Sequence, residues 1–135
     1  MYRVVQQIHF IYGHRLLNYK GKCAQVHGHN GLVEIELRSN KLDSLGMVYD
    51  FDDIERTMKT WIYETLDHKM LLNKKDPLVE VFKGRGEPVY LFEDNPTAEV
   101  IAREIFIQAK TQGLPVFEVR VWETPGSLAA YNEEN

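Results

Sequence analysis

The chain has 135 residues, 44% of them hydrophobic and 27% charged, with a formal net charge of -4. That length suits one domain, spanning residues 1–135, with a core that needs no staples. The mild acidity leaves no electrostatic footprint for nucleic acid and is too weak to favour disorder. No apolar run approaches the length of a membrane span, so neither a membrane nor a nucleic-acid partner is expected. The single cysteine, Cys23, cannot form an internal disulfide, and the start Met1-Tyr2-Arg3-Val4-Val5 alternates where a signal peptide would be continuously apolar. Both features point to a reducing, cytoplasmic setting.

Residues 3–12 alternate, with Val4, Ile8, Phe10 and Tyr12 on one parity, and predict a first strand. Residues 13–26 form a loop rich in Gly, Lys and Asn. A second strand follows at about 27–38, where Val33, Ile35 and Leu37 alternate with Glu34, Glu36 and Arg38, giving one buried and one polar face. Asn40 to Met47 is a turn region containing Gly46. A helix starts at Asp50 as N-cap and ends near Leu66, with Phe51, Ile54, Met58, Trp61, Ile62 and Thr65 along one face. Residues 73–94 carry Pro77, Gly84, Gly86 and Pro88 and read as loop, with Val89-Tyr90-Leu91-Phe92 as a possible short strand. A second helix opens at Asn95-Pro96, with proline at its first position, buries Ile101, Ile105 and Ala109, and stops at Gly113-Leu114-Pro115. A last strand runs from Val116 to Glu123. The order implies an α+β fold, a mostly antiparallel sheet with helices covering one face.

The chemistry concentrates in Cys23-Ala24-Gln25-Val26-His27-Gly28-His29. Residues two apart on a strand share a face, so His27 and His29 point together and share the parity of the apolar set. His14 continues the parity of Phe10 and Tyr12, and a hairpin would bring it to the same end of the sheet. Three neutral imidazole nitrogens suit zinc and leave a fourth position for water or substrate. Histidines satisfied singly by backbone hydrogen bonds are the plain alternative for each residue.

Cys23 can serve as a proton-transfer group beside such a cation, as a fourth ligand that closes the site, or as a small half-buried filler. Asp67-His68 places a carboxylate next to an imidazole, which can orient it and raise its basicity; a histidine helping the helix C-terminus explains the pair as well. Glu123 continues the parity of Phe117, Val119 and Val121, and a carboxylate on an apolar face wants a partner, unless the strand has already ended there.

These residues resemble the 6-pyruvoyl-tetrahydropterin synthase superfamily. The resemblance rests on Gly13-His14-Arg15-Leu16, the Cys23-x-x-x-His27-Gly28-His29-Asn30 block, Gly46-Met47-Val48-Tyr49-Asp50-Phe51, Leu66-Asp67-His68, Asn95-Pro96-Thr97-Ala98-Glu99 and Glu123-Thr124-Pro125. The short cysteine-to-histidine spacing and the Pro-Thr-x-Glu segment look more like the bacterial 6-carboxytetrahydropterin synthase branch of queuosine biosynthesis. The resemblance implies the tunnelling fold, here a four-stranded antiparallel sheet with two helices on one face. It implies rings of subunits that stack, commonly into a homo-hexamer built as a dimer of trimers, with the face of Glu34, Glu36 and Arg38 lining the barrel.

It also implies roles. His14, His27 and His29 would hold Zn2+. Cys23 would move side-chain protons, with Asp67 and His68 completing the relay from a neighbouring subunit. Glu123 would anchor the pterin ring. The substrate implied is 7,8-dihydroneopterin triphosphate, converted to 6-carboxytetrahydropterin with release of acetaldehyde and triphosphate. Pyruvoyl formation, and a non-catalytic domain whose structural zinc is closed by Cys23, are the alternatives. Residues 74–94 depart from compact bacterial members by their length and carry Lys74, Lys75, Lys83 and Arg85. Those cations could meet a triphosphate, although a solvated loop accounts for them too.

Overall fold

In the computed structural model, which describes residues 1–134, six strands and three helices fold around one hydrophobic cluster. Strands β1 (Tyr2–His14) and β2 (His27–Ser39) form the predicted antiparallel hairpin, in a register that sets His14 opposite His27 and Tyr12 opposite His29. The alternation is obeyed: Ile8, Phe10, Tyr12, Val33, Ile35 and Leu37 are all buried. Helix α1 (Phe51–Thr65) is capped by Asp50, whose side chain accepts from the Asp52 N–H. Such a cap contributes about 1 kcal/mol. Its core face is Ile54, Met58 and Ile62, while Phe51 leaves the expected stripe and stands half exposed beside Tyr2 and Met47.

The sheet corrects the four-stranded antiparallel expectation. β3 (Lys69–Asn73) and β4 (Val89–Phe92) extend it on one side, β5 (Val116–Thr124) and β6 (Ser127–Tyr131) on the other, in the order β4-β3-β1-β2-β5-β6. β3 pairs parallel with both β1 and β4, so the sheet is mixed. β3 escapes a sequence reading because Met70-Leu71-Leu72 is a continuous apolar run with no alternation, the signature of a strand buried by its neighbours. β6 is built of Leu-Ala-Ala, weak strand formers that are held by pairing with β5 across the Pro125-Gly126 turn.

Two helices also become three. A short helix α2 (Leu78–Gly84) lies inside the segment read as loop. Helix α3 (Ala98–Thr111) begins later than expected: Thr97 is its N-cap, accepting from the Val100 N–H, so Pro96 precedes the helix and is not its first residue. Its buried face contains Ile101, Ile105 and Ala109 as read from the sequence. Among the described residues, no helix is long and apolar enough to cross a membrane.

Candidate metal centre and its cleft

The end of the β1–β2 hairpin carries the three histidines, and strand periodicity aims them to one side. One ring nitrogen from each of His14, His27 and His29 lies within 4.8 Å of the others, close enough to hold a single metal ion. The ring centroids are 4.5, 5.0 and 5.1 Å apart. Nε2 of His14 and Nε2 of His29 stand at 3.1 Å.

Backbone carbonyls choose the tautomers. Nδ1–H of His14 donates to the Pro96 carbonyl at 2.7 Å, and Nδ1–H of His27 donates to the Gln25 carbonyl at 2.7 Å. Both Nε2 lone pairs are thereby freed for a cation, the usual outer-shell arrangement of a metal-binding histidine. Burial pushes the His14 imidazole down to about 4; the Pro96 carbonyl opposes this, and the two neighbouring imidazoles add to it. His14 is therefore neutral near pH 7, the form a metal requires.

Two glycines make room. A Cβ on Gly28 would lie 3.1 Å from the Tyr12 carbonyl oxygen, so it is the facing strand's backbone that comes close at this position. A Cβ on Gly31 would lie 2.8 Å from Phe10 and 2.9 Å from Tyr12. The bare Gly31 lets those two rings stack at 4.8 Å, and Tyr12 then meets His14 edge-on at 5.2 Å.

Glu123 lies inside β5, not in a solvated turn, and its side chain faces the histidines. Its carboxylate oxygens are 3.9 Å from His14 Nε2 and 3.8 Å from His29 Nε2. Cys23 sits in a turn of 3-10 helix, Lys22–Ala24. It lines, with His14 and Glu123, a cleft of about 500 Å³. Cys23 is not one of the group of potential ligands within 4.8 Å, which comprises the three imidazoles.

Sequence reasoning missed the far wall of this cleft. It is formed by Thr97 and Glu99 at the start of α3 and by Leu128, Ala129 and Ala130 of β6. The Pro96-Thr97-Ala98-Glu99 segment was visible as a motif; β6 gave no signal strong enough to place it.

Asp67 and His68 are not brought to this cleft within one chain. They lie where α1 hands over to β3, and border a hollow lined by His9, Ile11 and Asn30. A further hollow is lined by His68 together with His27, Tyr12 and Gly28, and neither hollow contains Cys23 or Glu123. Asp67 Oδ1 accepts from the Ile11 N–H at 2.8 Å, and Asp67 Oδ2 accepts from His68 Nδ1–H at 2.6 Å. His68 adopts φ of 59°, the left-handed region, held there by its own N–H donating to the Ile11 carbonyl at 2.6 Å. A non-glycine residue pays about 1–2 kcal/mol for that conformation. The ring's Nε2 is left free, and the side chain is 70% exposed.

The family model for 6-pyruvoyl tetrahydropterin synthase matches residues 3–134. A Rickettsia conorii protein named 6-carboxy-5,6,7,8-tetrahydropterin synthase is 36% identical over 132 residues, covering 93% of this chain and 96% of its own. The chain belongs to the 6-pyruvoyl tetrahydropterin synthase family.

Two solved structures share this family fold along nearly their whole length. An uncharacterized protein from Wolinella succinogenes superposes with a TM-score of 0.81 at 25% identity, covering 98% of each chain. Caenorhabditis elegans 6-pyruvoyl tetrahydropterin synthase superposes at 0.73 with 25% identity, covering 98% of this chain and 96% of its own. The motifs that carried the resemblance lie around the histidine centre, at the start of α1, at the α1–β3 junction and at the start of α3, within the matched residues.

Proposed function

We propose that this protein is a zinc-dependent lyase that converts 7,8-dihydroneopterin triphosphate into 6-carboxy-5,6,7,8-tetrahydropterin. The observation that carries the reading is the convergence of His14, His27 and His29 on one point beside a cleft that also presents Cys23 and Glu123. Tetrahedral Zn–N bonds of about 2.0–2.1 Å put ligand nitrogens about 3.3 Å apart, and the 3.1 Å between His14 and His29 is close to that spacing. His14, His27 and His29 would hold a zinc ion, which would supply Lewis acidity to the substrate's side-chain hydroxyl groups and to developing oxyanion charge.

The chain's own groups supply the rest. Glu123, fixed in β5 with its carboxylate in the cleft, accepts from the adjacent N–H groups of a pterin ring and sets the orientation of the side chain to be cleaved. Cys23 takes the carbon-bound proton; a general base in such a position contributes about 10²–10⁴-fold. Asp67 orients His68 through Nδ1, leaving Nε2 to accept or return a proton. Because this pair does not line its own chain's cleft, the reading requires that a second copy present it, consistent with a closed homo-oligomer, a hexamer in the form the family resemblance implies. The queuosine pathway and a cytoplasmic setting follow as parts of the same reading.

Relatives named for the carboxy product favour that product over the pyruvoyl one. The position of Cys23 outside the imidazole group argues against a thiol-closed structural zinc. Incubation of the purified protein with 7,8-dihydroneopterin triphosphate, followed by mass spectrometry, tests the assignment. Acetaldehyde and a carboxylated tetrahydropterin are expected; a retained three-carbon side chain would assign pyruvoyl formation instead.

A further inference from the structure

The loop that carries Cys23 is gripped at its first limb by groups from a distant part of the chain. Asn95, 78 residues further on, spans the backbone of Leu17: its Oδ1 accepts the Leu17 N–H at 2.9 Å and its Nδ2 donates to the Leu17 carbonyl at 2.9 Å. The same Oδ1 accepts from Asn73 Nδ2 at 3.1 Å, tying the amide to the end of β3. One residue later, Asn18 turns the chain with φ of 63°. The turn is closed by the Leu16 N–H donating to the Cys23 carbonyl at 2.8 Å. A second strut lies one residue after His14. The Arg15 guanidinium binds Asp76 in bidentate fashion at 2.6 and 2.5 Å, and the Asp76 side chain is completely buried.

Asn95 also stands next to the group that orients a histidine. The Pro96 carbonyl is the acceptor for His14 Nδ1–H, and the Thr97 N–H folds back onto the Asn95 carbonyl at 2.8 Å. One dipeptide thus holds the thiol loop with its side chain and the imidazole with its backbone.

We propose that Asn95 is a positioning residue that sets Cys23 in register with the three-histidine centre, with Arg15–Asp76 as the supporting strut. A paired amide on a backbone N–H and C=O is a directional clamp, and its loss lets the loop shift while the imidazoles, held by the hairpin, stay. Displacement of a proton-transfer group by about 1 Å costs on the order of 100-fold in rate. The inference rests on the assignment of Cys23 to proton transfer.

The test compares Asn95→Ala, Asn95→Asp and, as control, Asp94→Asn, an exposed neighbour whose side chain pairs with Arg103. Three quantities are read: bound zinc, kcat and KM on the pterin triphosphate, and the rate of Cys23 alkylation by iodoacetamide as a function of pH. Asn95→Ala is expected to keep its zinc, to lose about 10–100-fold in kcat with KM within about 2-fold, and to alter the alkylation profile. Asn95→Asp keeps the acceptor bonds and loses the donor to Leu17, so a smaller change of the same kind is expected; it is the variant read if Asn95→Ala is not recovered folded. Unchanged alkylation and kcat overturn the proposal, as does loss of zinc in parallel with kcat at an unchanged alkylation profile. An altered alkylation profile in Asn95→Ala, together with full turnover by Cys23→Ala, keeps the clamp and removes the catalytic role of the thiol.

Discussion

His14 Nε2 lies 3.1 Å from His29 Nε2, on facing strands and fifteen residues apart in sequence, with His14 Nδ1–H already committed to the Pro96 carbonyl. The His14 Nε2 lone pair is thereby turned toward His29 Nε2, at the spacing two ligands of one cation would take. A metal bound there links the two strands at the open end of the hairpin. Its removal by a chelator is expected to lower Tm by several degrees, since ligand at about 100 times its Kd contributes about 2.7 kcal/mol. His29→Ala should abolish stoichiometric zinc and show no further chelator effect. Metal content by atomic emission and a melting scan check both; full zinc in His29→Ala would remove that residue from the ligand set.

The separation of Cys23 from Asp67 and His68 within one chain gives a subunit-mixing prediction. Cys23→Ala and His68→Ala are each expected to lose at least about 100-fold in turnover while keeping zinc. Refolded or co-expressed together at equal ratio, they should regain up to about one quarter of wild-type activity, because a symmetric oligomer then contains sites with both groups intact. Absence of any regain would mean that Cys23 and His68 do not meet across a subunit interface.

Tyr12 is 1% exposed, and its hydroxyl has no hydrogen-bond partner among the described residues. Burial, and then the Glu123 carboxylate, push its ionisation far above the ordinary phenol range, so it stays neutral. An unpaired buried hydroxyl costs about 1–3 kcal/mol. Tyr12→Phe, which keeps the stack on Phe10, is expected to raise Tm by a few degrees and leave zinc content unchanged. A fall in Tm would show that the hydroxyl has a partner in solution.

On the opposite face of the sheet, Arg120 binds Glu34 at 3.2 Å, Glu36 at 3.0 Å and Glu118 at 2.6 Å, while Trp122 Nε1–H donates to Glu34 at 2.8 Å. Burial alone would raise Glu34 and Glu36. The hydrogen bonds, from Trp122, Gln7 and Arg120 on Glu34 and from Arg38 and Arg120 on Glu36, outweigh it and hold both below the usual carboxylate range. A depressed folded-state pKa contributes stability that is complete above the unfolded value, about 4.3 for glutamate, and is lost as pH falls through the folded value. The urea midpoint is therefore expected to drop steeply below about pH 4.3. Arg120→Met should flatten that dependence, which urea titrations between neutral and acid pH would detect. An equally steep profile in the variant would mean the arginine does not set it.

Much of the site was legible in local pattern. Period-two alternation in β1 and β2 fixes which side His14, His27 and His29 take, and a hairpin can bring their strand ends together in only a few registers. Glu123 announces itself as a charge on an otherwise apolar parity. Asp50 as a helix cap follows from side-chain chemistry within a few residues. Such features depend on neighbours in sequence, which a linear reading contains.

Tertiary structure decided what depends on distant partners. β3 and β6 are strands because β1, β4 and β5 offer them hydrogen bonds, not because their own residues prefer it. Whether Cys23 closes the metal site or stands beside it turns on a loop whose position is set by Asn95 and Asp76, far along the chain. Likewise, it is the fold that keeps Asp67 and His68 out of the cleft of Cys23 and Glu123 within one chain, as their expected contribution from a neighbouring subunit requires. Side-chain direction is written in local periodicity, whereas the distance between separate segments is fixed by packing and by hydrogen bonds that span the whole chain.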